Sequence, residues 1–151
     1  MINLTNNNYN MPVSSIVAQF TVYTNPSNLS NLLQYLESNN LNISAFTIQE
    51  KDNKSVFKFI VGEKHNQTSN DINITRSILK QYKYYFDESK VVRLSTNDSK
   101  LKLTSQYNEL IKSLSIYNSY IGESNSIIYE TCCPTKTLKV LSQLSWIKIK
   151  P

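Results

Sequence analysis

Glycine and proline are scarce here, two and four residues out of 151. That scarcity excludes collagen-like repeats and Gly/Pro-rich disordered segments. Arginine is nearly absent, Arg76 and Arg93 only, beside heavy use of Asn, Ser, Ile and Lys. The bias matches an AT-rich genome, such as that of a low-GC bacterium, a plastid or a virus. Net charge is +5, enough to attract an anionic partner. The lysines are spread along the chain without a basic run, however, and an ammonium lacks the planar fork that favours phosphate and base recognition. A nucleic-acid surface is therefore not the favoured reading. One histidine, His65, and the adjacent Cys132 and Cys133 supply too few ligands for a metal site, and no cofactor is expected. Neighbouring cysteines do not form an ordinary structural bridge, which points to a reducing compartment, the cytoplasm or a plastid stroma. The Asn-x-Ser/Thr triplets are then products of composition. Met1–Met11 lacks the basic start and apolar core of a signal peptide. No window approaches the roughly 18 apolar residues that span a bilayer.

What is present is the composition of a folded globular protein, 40% hydrophobic and 11% aromatic, mostly tyrosine. The length suits one core or two small half-domains packed together. Residues 1–13 read as a flexible N-terminal arm. From Ile16 to Tyr23 the residues alternate, placing Ile16, Ala18, Phe20 and Val22 on one face and Gln19, Thr21 and Tyr23 on the other. Thr24-Asn25-Pro26 then supplies a helix cap and a proline suited to the first turn. Leu29, Leu32, Leu33 and Leu36 follow as a helical stripe that stops at Ser38-Asn39-Asn40. Ile43–Glu50 and Ser55–Val61 read as strands of a hairpin turning through Lys51-Asp52-Asn53-Lys54. Phe57, Phe59 and Val61 share one face of the second strand. Glu63–Asn70 reads as a polar loop, and a helix over about Asp71–Tyr84 puts Thr75, Ile78, Leu79 and Tyr82 on one side. Lys90–Leu94 is a short fourth strand.

The remainder repeats this order more faintly. A short strand at Lys100–Leu103 precedes a helix marked by Leu103, Tyr107, Leu110, Ile111 and Leu114. Tyr117–Ile121 and Ser126–Thr131 form a hairpin through Gly122-Glu123-Ser124-Asn125. Pro134 opens a helix with Leu138, Leu141 and Leu144, and Trp146–Lys150 closes as a strand. The expected fold class is α+β: a ferredoxin-like βαββαβ sandwich, duplicated, with units at 14–96 and 97–151 and a junction near Thr96–Ser99. The alternative is one such domain followed by a capping extension.

Residues Ile16–Leu94 resemble the ACT family of small regulatory domains. The likeness rests on an apolar strand, the Asn25-Pro26 turn, a leucine-rich helix and Asn40-Leu41-Asn42-Ile43 leading into strand two. The family usually has glycine where Ser27 and Asn40 stand. The resemblance implies binding of an amino-acid-like effector at a homodimer interface, with Thr24, Asn25, Pro26 and Asn42 as the ligand-binding candidates. Each has a plainer reading: Asn25-Pro26 as a helix start, and Asn42 as a residue satisfying backbone groups at the strand entry. Phe57 and Phe59 fit helix-facing core better than the base-stacking platform of an RNA-recognition motif, whose signature has glycines between its aromatics. Tyr82, Tyr84, Tyr85 and Phe86 form an aromatic cluster at a helix end, suited to an interface. There is no Gly-rich phosphate loop, no paired carboxylates and a single histidine, so catalysis is not expected. The leading reading is a non-catalytic regulatory protein acting on a protein partner or sensing a small molecule. Its rivals are a nucleic-acid-binding module and a structural assembly subunit.

Overall fold

A computed structural model describes residues 13–63, 66–95, 103–143 and 148–149. Two long strands, β1 (Val13–Thr24) and β4 (Tyr85–Ser95), pair antiparallel along almost their full length, from Val13 opposite Ser95 to Tyr23 opposite Tyr85. Around this ribbon are placed α1 (Pro26–Ser38), β2 (Ile43–Lys51), β3 (Lys54–Val61), α2 (Ser69–Gln81), α3 (Leu103–Ile111), β5 (Ile116–Ile121), β6 (Ile127–Thr131), α4 (Pro134–Ser142) and β7 (Lys148–Ile149). The sheet order is β2-β3-β1-β4-β6-β5, with β7 parallel to the start of β1. The first six elements thus run β1α1β2β3α2β4 with strands ordered 2-3-1-4. The strands of the second half continue the same sheet through β4 and β6 instead of opening a new one.

Strand β1 fills its second edge piecewise. Phe20–Thr24 pair with β3 and Val13–Ser14 with β7. Between them the Gln67 side chain stands in for a strand: Ala18 N–H donates to Oε1 at 2.7 Å and Nε2 donates to the Ala18 carbonyl at 2.8 Å. Buried backbone groups must find partners, and one amide side chain meets both obligations here.

The helices pack on one face of the sheet. Leu29, Leu32 and Leu36 of α1 and Ile78 and Leu79 of α2 cover Phe20, Val22, Phe57 and Phe59. Leu110 of α3 and Val140 and Leu141 of α4 cover Val92, Leu94, Ile127 and Tyr129. Phe57 and Phe59 are accordingly core, stacked at 4.5 Å with Phe59 also against Phe20. The opposite face is buried as well, because the sheet curls until its two edges touch at an Ala45–Gly122 bridge. Val17, Ala45, Ile60, Val91 and Ile128 form a third core inside the curl. This explains why Gln19 and Thr21, on the face opposite the helices, are buried.

Several boundaries differ from the sequence reading. Strand β4 starts at Tyr85, not Lys90, because pairing with β1 holds the polar stretch Asp87–Ser89 extended. Helix α2 starts at Ser69 and stops at Gln81, so Tyr82 becomes its C-cap and stays exposed instead of joining the buried stripe. Ile16, on the helix-bearing face, is 37% exposed. Leu103 begins α3 rather than ending a strand; Lys100–Lys102, the arm at 1–12, His65 and Leu144–Ile147 lie outside the described residues. The β5–β6 hairpin is as expected.

Candidate functional site

Thr24 closes β1, and Asn25 caps α1 with extended backbone, its Oδ1 accepting from Asn28 N–H at 2.9 Å. Pro26 takes the first helical turn, where its missing donor costs nothing. Thr24 and Asn25 border a groove of about 450 Å³ between the α1 start and the α2–β4 connection. Five tyrosines wall it: Tyr23, Tyr35, Tyr82, Tyr84 and Tyr85. Tyr35 and Tyr82 stack face to face with centroids 3.7 Å apart, while Tyr23 and Tyr85 meet at 5.6 Å. Tyr84 donates to the Asn28 carbonyl at 2.8 Å, pinning the connection to α1. Burial raises the Tyr84 hydroxyl above its usual range, and burial with nearby Asp87 does the same for Tyr23. Both stay neutral donors near pH 7.

Among the described residues, Lys83 is the one charged residue lining this groove. It occupies the left-handed position after α2, φ +57°, with Tyr84 N–H bonded back to the Leu79 carbonyl at 2.9 Å. The helix start adds partial positive charge on the other side. The groove thus sets aromatic walls, the Asn28 and Asn31 amides and, among the described residues, one cation side by side.

Asn42 lies elsewhere. It precedes β2, which runs in the same direction as β1, so its neighbour Ile43 sits level with Val61 while Thr24 sits level with Ser55. Six residues of β3 separate the two levels, roughly 20 Å. Its Nδ2 donates to the Gly62 carbonyl at 3.0 Å and its carbonyl accepts from Gly62 N–H at 2.9 Å. One chain therefore brings Thr24 and Asn25 together at the groove but not Asn42. Asn28, Asn31 and Tyr35 escaped the sequence reading; their i, i+3, i+7 spacing along one side of α1 was the available signal.

The inside of the curl holds a second set of polar groups. Lys58 of β3 and Glu130 of β6 pair at 2.7 Å across the two intervening strands. Arg93 of β4, 2% exposed, bonds the Ser44 hydroxyl on β2 and donates to the Glu63 carbonyl at 3.4 Å. Tyr120 of β5 donates to Gln19 Oε1 on β1 at 2.6 Å. Cys132 and Cys133 are free and exposed; a Ser115 backbone N–H and the neighbouring thiol lower Cys132, and the same thiol pair raises Cys133. Among the described residues no three His, Cys, Asp or Glu side chains converge to hold a metal, and no helix is long and apolar enough to cross a membrane.

The strand order, the helices on one face and the turn at Asn25-Pro26 define an ACT-type fold. Among solved structures, the chain is similar to protein BT0572 of Bacteroides thetaiotaomicron, with a TM-score of 0.72 at 17% identity over 87% of this chain and 90% of that one. It is also similar to a structure of aspartokinase alpha and beta subunits, TM-score 0.58 at 12% identity, covering 88% of this chain and 97% of the other. The ligand-free regulatory subunit of aspartate kinase from Thermus thermophilus matches with a TM-score of 0.54 at 12% identity, over 86% and 95% of the two chains. No family model and no curated protein matches the sequence.

Proposed function

We propose that this chain is a non-catalytic regulatory protein with ACT-like units that takes an amino-acid-like effector in the groove beside Asn25. The observation that carries the reading is the groove itself: Thr24 and Asn25 open onto a tyrosine-walled space whose one charged residue, among the described residues, is Lys83. Likeness to a structure named as a regulatory subunit supports the class. In this reading two ACT-like units share the β1–β4 ribbon, and the effector's carboxylate meets Lys83 and the α1 start. A homodimer completes the site, the β2 entry with Asn42 arriving from the second copy. An effector that favours one dimer arrangement shifts the activity of a bound partner.

Thermal melting with each proteinogenic amino acid tests it, since a ligand of the folded state raises Tm by mass action. The expected result is that one of them raises Tm, that Asn25→Ala removes the shift, and that light scattering gives the mass of a dimer. A complete panel with no shift, together with a monomeric mass, rules the effector reading out.

A further inference from the structure

The helix-bearing face of the β1–β4 ribbon is covered at one end by α1 and α2 and at the other by α3 and α4. Between these covers lies a second groove of about 640 Å³, within the range of small-molecule sites, about 300–1,000 Å³. Residues Ile16 to Ala18 and Glu88 to Lys90 form its floor, and Ile72 and Arg76 of α2 its wall. It shares no lining residue with the groove at Asn25.

The three charges that line it among the described residues are not equivalent. Arg76 and Glu88 neutralise each other in a forked pair, Nε to Oε2 at 2.7 Å and Nη2 to Oε1 at 2.6 Å, with Nη1 held by Asn73 Oδ1 at 3.0 Å. Lys90 follows Glu88 by two positions on the same face of β4 and has no ion-pair partner among the described residues. The Gln67 amide is spent on the Ala18 backbone, which fixes the floor without offering a ligand its donors. Among the described residues, what remains is one uncompensated cation beside the aliphatic surface of Ile16, Ala18 and Ile72.

We propose that this groove binds a short branched aliphatic monocarboxylate, its carboxylate on Lys90 Nζ and its chain along Ile16, Ala18 and Ile72. A zwitterion is disfavoured, because its ammonium would have to displace Arg76 from Glu88. The inference goes beyond the regulatory reading and does not depend on the turn groove.

Titration calorimetry on the full chain tests it with three probes that share an isobutyl group: isovalerate, leucine and isoamylamine. Isovalerate is expected to bind, leucine at least about tenfold more weakly, and isoamylamine not at all. Lys90→Met is expected to weaken isovalerate about tenfold or more with an unchanged melting curve, Lys90→Arg to retain it, and Asn25→Ala to leave it unaltered. The proposal is overturned if isovalerate does not bind, if leucine binds as tightly, if Lys90→Met keeps full affinity, or if the loss appears in Asn25→Ala instead.

Discussion

Gly122 is held by contact, not by backbone conformation. A Cβ built there would lie 2.7 Å from Ala45 Cβ and 2.8 Å from the Ser44 carbonyl, at the bridge where the two sheet edges close. The carbonyl cannot yield without moving β2, so Gly122→Ala is expected to cost about 1–3 kcal/mol, read as a lower urea midpoint. An unchanged midpoint would mean that the Ala45–Gly122 contact is loose in solution. Gly62 is needed twice over, with φ +113° and the Asn66 carbonyl 2.7 Å from its missing Cβ. Asn40 shows why residue-level legibility was partial. Against a family pattern with glycine there, it reads as a departure. In the structure it takes the left-handed position after α1, φ +55°, with Asn40 N–H on the Glu37 carbonyl and Leu41 N–H on the Leu36 carbonyl. Asparagine is a non-glycine residue that enters this region at small cost, so the turn survives the substitution. Letters alone do not carry a dihedral angle, and that is why Asn40 looked like a loss.

Elements were most legible where local chemistry and burial agree. Leu29, Leu32 and Leu36 of α1 and the alternation in β3 fall where the sequence puts them, because the same residues both favour the element and face the core, whereas Leu33 of the expected stripe is 37% exposed. Helix α2 begins earlier than its apolar stripe because its start is set by a reciprocal cap. Thr68 Oγ1 accepts from Asp71 N–H at 3.1 Å while Asp71 Oδ2 accepts from Thr68 N–H at 3.3 Å. Thr68→Ala removes the first of these and strands a helix-end donor, which is expected to cost about 1 kcal/mol. Hydrogen exchange locates the effect: faster exchange should be confined to the first turn of α2, and a uniform change across the chain would contradict a local cap. Strand β4 was legible only in its apolar second half, since the first half owes its shape to β1 and not to its own sequence. The tyrosine groove was read from one side only. The aromatic run after α2 stands out in sequence, whereas Asn28, Asn31 and Tyr35 become a wall only when α1 packs beside it.

At the scale of the whole molecule, the curl makes the fold one structure and exposes it to alkali. Side chains reach across the interior from strand to non-neighbouring strand: Lys58 to Glu130, Arg93 to Ser44, Tyr120 to Gln19. Burial lowers the Arg93 guanidinium and raises the Tyr120 hydroxyl, so each charged form is disfavoured inside. On the helix-bearing face burial pushes Tyr129 up to about 12 from 10.0, and its hydroxyl donates to Gln106 Oε1 at 2.7 Å. The sign follows from proton linkage. With the folded value above the unfolded one, the unfolded chain loses its proton first as pH rises. Stability is therefore untouched by Tyr129 below about pH 10 and declines from there to about pH 12, by roughly 2–3 kcal/mol over the window. Tyr120, raised for the same reason, steepens the decline. Urea midpoints measured across this range should fall. Tyr129→Phe, which has no proton to lose, should start from a lower midpoint at neutral pH and fall less steeply in alkali. A parallel decline in wild type and variant would show that Tyr129 ionises freely within the folded chain, and the packing of α3 over β6 would then be looser than its hydrogen bond to Gln106 implies.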